Sequence, residues 1–413
     1  MATALRRAVR IVRRHGATGL ALAVLRRAVD RLERHSTGAK RRPQMLVRWE
    51  DAVAVDWTES APWQTEPRAV VNERLRTAWI MHPPGESSGG HQNIFRFIAY
   101  LEAAGHEVSI YIYDSVDRAV EPLRIQQMVA SSPSYPQVAA SFHVYEGAVH
   151  PETDVIVATG WETAYPAFRD PSHARRAYFV QDFEPGFYPV GSEHILAENT
   201  YRFGFHGITA GDWLATMLAR DHGMRTSSFG FAADTSTYHL TNTAARDEVF
   251  FYARPVTARR GFELGVMALE RLVSLRPDVT IHLAGWDVSA YDLPFPHIDH
   301  AAMKINQLND LYNRCGVGLV LSLTNLSLLP LELLATGVIP VLNDGQNNRL
   351  VTDNPFIEYS EPTPAALARR MHEVLSRPDL ADHAVAAAAS VGDGGWDASG
   401  ARFVKAFEDA ARG

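Results

Sequence analysis

The chain has 413 residues, which is too long for one ordinary hydrophobic core and suits two α/β domains of usual size. Its contents of 46% hydrophobic and 21% charged residues are typical of a globular protein. The single cysteine, Cys315, excludes an internal disulfide and, in our interpretation, any cysteine-based zinc site, so a reducing cytoplasm is the expected location.

We interpret residues 1–42 as a basic helical arm. They contain twelve Lys and Arg residues against Asp30 and Glu33, a net charge of +10, so the other residues must carry −17 to give the total of −7. An acidic body argues against a nucleic-acid enzyme, whose working surface would be basic. The apolar run 20–25 is too short to cross a bilayer, and no small-residue cleavage site follows it. Two interpretations of the arm stay open: binding to an anionic membrane surface, or a solvated extension.

Residues 43–230 are predicted to form a first Rossmann-like domain. The pattern predicts a strand at 77–82, a glycine-rich loop at 83–90, a helix at 91–104, a turn and second strand at 105–113, and further strands at 154–158, 176–181 and 206–209. Gly89 and Gly90 would let the backbone approach a ligand closely, although a plain tight turn needs glycine just as much.

The segment 181–189, Q-D-F-E-P-G-F-Y-P, leaves the carboxyl end of a predicted strand, where open α/β sheets place their ligands. It combines Asp182 and Glu184 with aromatic rings. Carboxylates accept hydrogen bonds from sugar hydroxyls, and rings cover the apolar faces of a sugar. Alternatively, the rings only anchor the loop and the acids form a solvated rim. His206 is a third candidate, although it could also be an ordinary histidine at a strand end.

Residues 231–395 are predicted to form a second domain of the same kind, because strands at 248–253, 280–284 and 316–321 alternate with helices. Arg254, Arg259 and Arg260 follow the first of these strands. Guanidinium groups pair with phosphate through two parallel hydrogen bonds, so this loop resembles an anion clamp. Lys304, in a neighbouring loop, could add a further positive charge.

The stretch 322–341, S-L-T-N-L-S-L-L-P-L-E-L-L-A-T-G-V-I-P-V, leads from a buried strand through a small polar loop into a short helix. Backbone N–H groups at such a junction can hold a phosphate. The loop residues that we assign to this site are Thr324, Asn325, Ser327 and Leu328. Glu332, one helical turn further on, is placed to accept hydrogen bonds from a sugar hydroxyl. The helix macrodipole favours an acidic residue at this position in any protein, so the position alone does not show that Glu332 binds a sugar.

Five strings carry a family resemblance: Y-F-V-Q-D-F-E-P-G-F-Y-P-V-G-S-E at 178–193, Y-R-F-G-F-H-G-I at 201–208, F-G-F-A-A-D at 229–234, F-Y-A-R-P at 251–255 and L-P-L-E-L-L-A-T-G at 329–337. Together they resemble the WsaF-type rhamnosyltransferases within glycosyltransferase family 4. The resemblance implies an α/β GT-B fold, in which two Rossmann-like doubly wound domains face a central cleft. It also implies that the first domain binds the acceptor and that a helix at 396–413 packs back on that domain.

The same resemblance implies a nucleotide-sugar donor, dTDP-L-rhamnose, bound in the second domain, and a growing cell-surface polysaccharide or lipid-linked glycan as acceptor. Arg254 and Arg260 fall at the family's basic diphosphate positions, Lys304 falls at a basic position before a helix beside the nucleotide, and Glu332 falls at the glutamate that holds the ribose. The chain departs from the family at the first glutamate of that pair, where Thr324 stands. Thr324, Asn325 or backbone amides would therefore have to contact the donor sugar.

We expect no metal or other cofactor, because helix-terminal N–H groups and cations can themselves stabilise a departing diphosphate. No P-loop, Gly-x-Gly-x-x-Gly, His-Glu-x-x-His or Asp-x-Asp motif occurs. Two alternatives remain. A nucleotide-sugar epimerase with the GT-B fold would lack an acceptor site, and a non-catalytic sugar-binding protein would be expected to carry a signal peptide and would not need the cationic loop. The sequence leaves the oligomeric state open.

Overall fold

The computed structural model describes residues 45–86, 88–114, 120–392 and 395–413. The predicted basic arm lies outside the described residues. The residues from Leu46 to Gly413 form one compact unit. Among the described helices, none is both long and apolar enough to cross a membrane.

The first lobe comprises residues 46–229 and the C-terminal helix. Its elements before that helix are α1 (Trp49–Ala54), α2 (Pro62–Thr65), β1 (Arg76–Met81), α3 (Gly89–Ala103), β2 (Glu107–Ile112), α4 (Pro122–Ser131), β3 (Ser141–Val144), β4 (Val155–Ala158), α5 (Trp161–Arg169), β5 (Arg175–Val180), a 3₁₀ turn (Glu184–Phe187), α6 (Ser192–Asn199), a second 3₁₀ turn (Thr200–Arg202), β6 (His206–Ala210), α7 (Asp212–His222) and β7 (Arg225–Phe229). The seven strands form one parallel sheet in the order β3-β2-β1-β4-β5-β6-β7.

The second lobe comprises residues 248–390. Its elements are β8 (Glu248–Tyr252), a 3₁₀ turn (Ala258–Arg260), α8 (Phe262–Leu275), β9 (Ile281–Ala284), β10 (Ile298–Asp299), α9 (Ile305–Tyr312), β11 (Cys315–Val320), α10 (Leu329–Ala335), β12 (Ile339–Asn343), α11 (Gln346–Arg349), β13 (Glu358–Ser360), α12 (Pro364–Leu375) and α13 (Leu380–Ser390). Its six strands form a second parallel sheet in the order β10-β9-β8-β11-β12-β13.

Each sheet reverses its strand order at one point. In the first sheet the chain runs outward from β1 to β3 and then resumes on the other side of β1 with β4; in the second sheet the reversal falls between β8 and β11. The loops that leave the carboxyl ends of two such strands diverge, and the crevice between them is where open α/β sheets bind ligands. The topology therefore marks two ligand sites, one in each lobe.

Close packing in the second lobe fixes the loop that follows β8. A Cβ added at Gly265 on α8 would lie 2.1 Å from the ring of Phe251 on β8, so only glycine lets this helix approach the strand so closely. Phe251 is fully buried. Because β8 and α8 flank residues 254–260, their contact sets where this cationic loop lies.

The C-terminal helix, α14 (Asp397–Arg412), packs on the first lobe. The ring of its Phe403 lies 4.6 Å from that of Phe97 and 5.7 Å from that of Phe179, between centroids. A Cβ at Gly400 would lie 2.5 Å from the ring of Tyr100, so glycine allows α14 to approach α3. The chain thus returns from the second lobe to complete the aromatic core of the first.

The predicted α/β fold with two doubly wound parallel sheets is confirmed. The longest buried strands were located within one or two residues, because a strand that is buried on both faces reads as a continuous apolar run. The edge strands β3 and β7 were not predicted. Their sequences, S-F-H-V and R-T-S-S-F, are short or largely polar and carry little periodic signal.

Candidate functional site

The crevice of the second lobe contains two guanidinium groups without an acidic partner. Arg254 donates from Nε to Thr257 Oγ1 at 3.1 Å and from Nη1 to the Tyr252 hydroxyl at 2.9 Å. Arg260 donates from Nη1 to Ser322 Oγ at 2.6 Å, and burial lowers its pKa. In the described part of the chain, neither forms an ion pair with a carboxylate, whereas the adjacent Arg259 does. The charge of Asp182 acts on Arg260, but a partly buried cation without a direct ion pair still favours the binding of an anion.

The loop after β11 closes the other side of this crevice and is held rigidly. The Ser322 N–H donates to Asn343 Oδ1 at 2.8 Å, and the Ser322 carbonyl accepts from Asn347 Nδ2 at 2.8 Å. Thr324 and Asn325 are buried, yet Thr324 Oγ1 and Asn325 Oδ1 have no hydrogen-bond partner within the described residues. The loop therefore contains buried polar atoms that a ligand or a water molecule could satisfy.

Ser327 and Leu328 are half-buried and end this loop at the start of α10. Glu332 follows on α10, and burial raises its pKa to about 7. The charge of Arg96 opposes this rise and that of Asp234 adds to it. Arg96 belongs to α3 of the first lobe, where its guanidinium also lies 4.1 Å above the ring of Trp396. A cation from one lobe thus faces a carboxyl group of the other.

Three residues join the two lobes directly, and we call Asp182, Arg259 and Asn325 the interlobe clasp. Arg259 Nε donates to Asp182 Oδ2 at 3.0 Å, and the Asn325 N–H donates to Asp182 Oδ1 at 2.7 Å. Asn325 Nδ2 also donates to the carbonyls of Gln181 and Ala210, at 3.0 and 2.9 Å. The Asp182 carboxylate is therefore engaged through both oxygens, and the carboxyl edges of the two sheets meet here.

Comparison with known proteins agrees with this architecture. Residues 137–210 match the family described as "WsaF, N-terminal domain", and residues 247–372 match "WsaF, C-terminal domain". The chain is similar to the WsaF family in these two segments and has the GT-B fold. It is also 34% identical over 346 residues to the O-antigen biosynthesis protein RfbC of Myxococcus xanthus. That match covers 80% of the chain and 27% of the relative, so the chain spans about a quarter of the relative's length.

Solved structures show the same fold at low sequence identity. The sucrose-phosphate synthase of Thermosynechococcus elongatus superposes with a TM-score of 0.61 at 12% identity, over 81% of this chain and 99% of that one. HepE of Anabaena, in complex with UDP and glucose, gives a TM-score of 0.59 at 12% identity, with the same coverage of both chains.

Glu184 lies beneath the interlobe clasp rather than in the cleft. Its Oε2 accepts hydrogen bonds from the Trp161 N–H at 2.5 Å and from the Tyr178 hydroxyl at 2.7 Å. Burial raises its pKa, and the nearby charge of Glu162 adds to this effect. These contacts assign Glu184 to the support of the 181–188 loop, so the structure does not present it as a group open to substrate.

His206 is not brought to the cleft. It begins β6, pairs with Ala177 near the start of β5, and bonds through Nε2 to Ser227 Oγ at 2.9 Å. Asp182 follows the opposite, carboxyl end of β5. The length of a strand thus separates His206 from the other two acceptor-side candidates, and the predicted strand direction already implied this.

Gly89 and Gly90 form the first turn of α3 and not the predicted loop. The Ser88 hydroxyl caps this helix by accepting from the His91 N–H at 3.5 Å. First-turn N–H groups have no partner within a helix, so two glycines are tolerated there. The Gly90 carbonyl accepts a hydrogen bond from Gln181 Nε2 at 3.2 Å, which places both glycines beside the 181–188 loop that contains Asp182.

Lys304 is exposed at the start of α9, where its backbone N–H donates to Gln307 Oε1 at 3.2 Å. Among the residues described, its ammonium group has no hydrogen bond or ion pair with the other candidate residues. Lys304 keeps its place in the proposed site only through the family resemblance. Arg96, by contrast, was missed in the sequence, because its proximity to Glu332 depends on how the lobes face each other.

Among the residues that the structure describes, one group of side chains at the amino edge of the second sheet could ligate a metal ion. Glu248, His282 and Cys315 offer ligand atoms within 4.8 Å of one another. His282 Nε2 already bonds to Glu248 Oε2 at 2.7 Å, and Arg314 donates to both oxygens of Glu248. This network lies at the sheet edge opposite the cleft, away from the two crevices.

Proposed function

We propose that the protein is a glycosyltransferase that binds a nucleoside-diphosphate sugar in the crevice of the second lobe and transfers the sugar to a glycan acceptor at the first lobe. The observation that carries this proposal is the pair of guanidinium groups, Arg254 and Arg260, which face the crevice without a carboxylate partner. The Myxococcus relative is named for O-antigen biosynthesis, which supports a role in polysaccharide assembly. The UDP and glucose bound by HepE support a nucleotide-sugar donor.

The proposed chemistry needs a stabilised leaving group. The acceptor hydroxyl oxygen bonds to the anomeric carbon of the donor, and the bond from that carbon to the diphosphate oxygen breaks. Its electron pair leaves with the nucleoside diphosphate, which takes up the hydroxyl proton. Arg254 and Arg260 would stabilise the developing negative charge through charge-assisted hydrogen bonds. Glu332 would bind the ribose hydroxyls. We propose that these groups suffice without a metal ion.

The finer proposal concerns the substrates and the location. From the family resemblance, the donor is dTDP-L-rhamnose, and the acceptor is a growing cell-surface polysaccharide or a lipid-linked glycan at the cytoplasmic face of a membrane. Thr324 and Asn325, with their unpartnered polar atoms, would contact the donor sugar in place of the family's glutamate. The basic arm would draw the protein to anionic lipid, at about 1 kcal/mol for each cation near the surface.

Radiolabelled donors test the reaction. The protein is incubated with dTDP-L-rhamnose or UDP-glucose and a lipid-linked glycan acceptor, with and without EDTA. We expect transfer from dTDP-L-rhamnose that persists in EDTA. Isomerised donor would identify an epimerase, and unchanged donor a binding protein. Transfer from UDP-glucose alone would contradict the proposed donor while supporting the glycosyltransferase.

Calorimetry with dTDP tests the cationic crevice. Arg254→Ala and Arg260→Ala should each weaken dTDP binding by about 1.5–3 kcal/mol, the usual size of a charge-assisted hydrogen bond. Arg271→Ala, an exposed arginine on α8, is the matched control and should bind as the wild type does. Unchanged affinity in both crevice variants would contradict this placement of the diphosphate.

A further inference from the structure

The second ligand crevice marked by the topology lies in the first lobe, between the carboxyl ends of β1 and β4. These strands are neighbours, with Ile80 paired to Ala158. His82 directly follows β1, and Glu162 is the second residue of α5, shortly after β4. Because the two connections leave in opposite directions, both side chains stand at the point where an open sheet leaves room for a ligand. None of the sequence motifs pointed to either residue.

The two side chains are close to each other and partly open to solvent. His82 Nε2 lies 4.0 Å from Glu162 Oε2, and the side chains are 31% and 17% exposed. An aromatic pair borders Glu162: Trp161 Nε1 donates to the Tyr188 hydroxyl at 2.9 Å, and their rings meet edge to face. Ionisable groups that are mostly buried but still reachable, next to aromatic rings, form a combination suited to a sugar.

The charged groups around His82 and Glu162 indicate which class of ligand this crevice can bind. The charge of Glu193 acts on Glu162, and that of Glu162 acts in turn on Glu184 and Tyr188. His82 is the other titratable neighbour of Glu162. Burial, with the charge of Glu193, raises the pKa of Glu162. These carboxyl groups offer no positive charge to pair with a phosphate, whereas they can form hydrogen bonds with neutral hydroxyl groups. The crevice therefore suits an uncharged saccharide and not the anionic donor.

We infer that His82 and Glu162 bind neighbouring hydroxyl groups of the acceptor saccharide, with the carboxylate accepting a hydrogen bond from one hydroxyl and the imidazole bonding to the next hydroxyl. This inference rests on the proposed function. The segment 181–188 links the two crevices, since its Asp182 contacts Arg259 and Asn325 while its Glu184 lies beside Glu162. A saccharide at Glu162 would therefore lie on the first-lobe side of the same loop that contacts the donor crevice.

Saturation-transfer NMR with two simple probes, methyl α-L-rhamnopyranoside and methyl β-D-glucopyranoside, tests the site without requiring catalysis. The wild type should show transfer to at least one glycoside. Glu162→Gln and His82→Gln should each weaken that binding about tenfold or more, as expected for the loss of a hydrogen bond to a charged group. The matched control, Glu270→Gln, changes an exposed glutamate on α8 and should have no effect.

The pH dependence separates binding by the carboxylate from a merely structural role. Glycoside binding by the wild type should strengthen as the pH rises from about 6 to 8, since the pKa of Glu162 is raised and its ionised form is the better acceptor. In Glu162→Gln, glycoside binding should not strengthen over this pH range, while the affinity for dTDP should equal that of the wild type. No transfer to either glycoside in the wild type, or equal binding by the wild type and both variants, would overturn the inference. Glycoside binding without any sugar transfer would refute the proposed function and leave this site standing.

Discussion

Replacing Glu332 with glutamine should stabilise the protein above neutral pH. Burial raises the pKa of this carboxyl group from 4.5 to about 7, and one pKa unit corresponds to about 1.4 kcal/mol. The ionised side chain therefore destabilises the folded state by up to about 3 kcal/mol, an upper limit because the residue is only half-buried. The pKa of Glu332 is higher in the folded state than in the unfolded chain. The protonated side chain therefore contributes to the stability of the fold, fully below about pH 4.5, and this contribution is lost as the pH rises through 7.

Denaturant unfolding at pH 5 and pH 8 measures this effect. The difference in unfolding free energy between Glu332→Gln and the wild type should grow by about 2–3 kcal/mol from the lower to the higher pH. Glu270→Gln controls for the loss of an exposed carboxylate and should give a nearly constant difference. A Glu332→Gln difference that does not change with pH would refute the assigned burial and charge environment.

The same variant tests what Glu332 binds. The proposed role requires an ionised carboxylate that accepts hydrogen bonds from the ribose, so Glu332→Gln should weaken dTDP binding while leaving inorganic pyrophosphate binding unchanged. In the wild type, dTDP binding should weaken as the pH falls below about 7, because Glu332 becomes protonated. Calorimetry with both ligands measures these affinities. An equal loss of affinity for dTDP and for pyrophosphate in Glu332→Gln would mean that Glu332 does not contact the ribose.

Two further predictions concern the lobes and the arm. Asp182→Asn should weaken the interlobe clasp by about 1.5–3 kcal/mol and increase the radius of gyration of the free protein in small-angle scattering. The control Asp278→Asn changes an exposed residue and should leave the radius unchanged. An unchanged radius in Asp182→Asn would argue against a clasp that holds the lobes together. Deleting residues 1–42 should reduce co-sedimentation with anionic vesicles at low salt and spare transfer to a short acceptor, and equal sedimentation of both proteins would refute the membrane role of the arm.

The strands that position the site could be predicted because they are continuous apolar runs. C-G-V-G-L-V of β11 is buried at every residue, and the polar loop that follows it was recognised as a possible site from sequence order alone. The edge strands and most of the shorter helices lack such a signal. The hydrophobic pattern of the sequence therefore predicts the carboxyl edge of each sheet better than the rest of the fold.

The partners of the site residues could not be predicted in the same way. Asp182 was interpreted as an acceptor-side group, yet both of its oxygens contact the other lobe. Arg96 drew no attention in the sequence because it lies on an ordinary amphipathic helix, and its closeness to Glu332 arises only when two lobes come together. Contacts between the two lobes depend on lobe orientation, which no local pattern encodes.

The return of the last helix to the first sheet has a consequence for synthesis of the chain. Trp79, Phe97 and Phe179 are made before the second lobe, but Phe403 and Phe407, which pack against them, leave the ribosome only after the whole second lobe. The first lobe cannot complete its core while the second is being translated, so the usual order in which an N-terminal domain folds first is interrupted. During that interval an aromatic surface stays open to solvent, and a chain halted before Phe403 would expose it permanently.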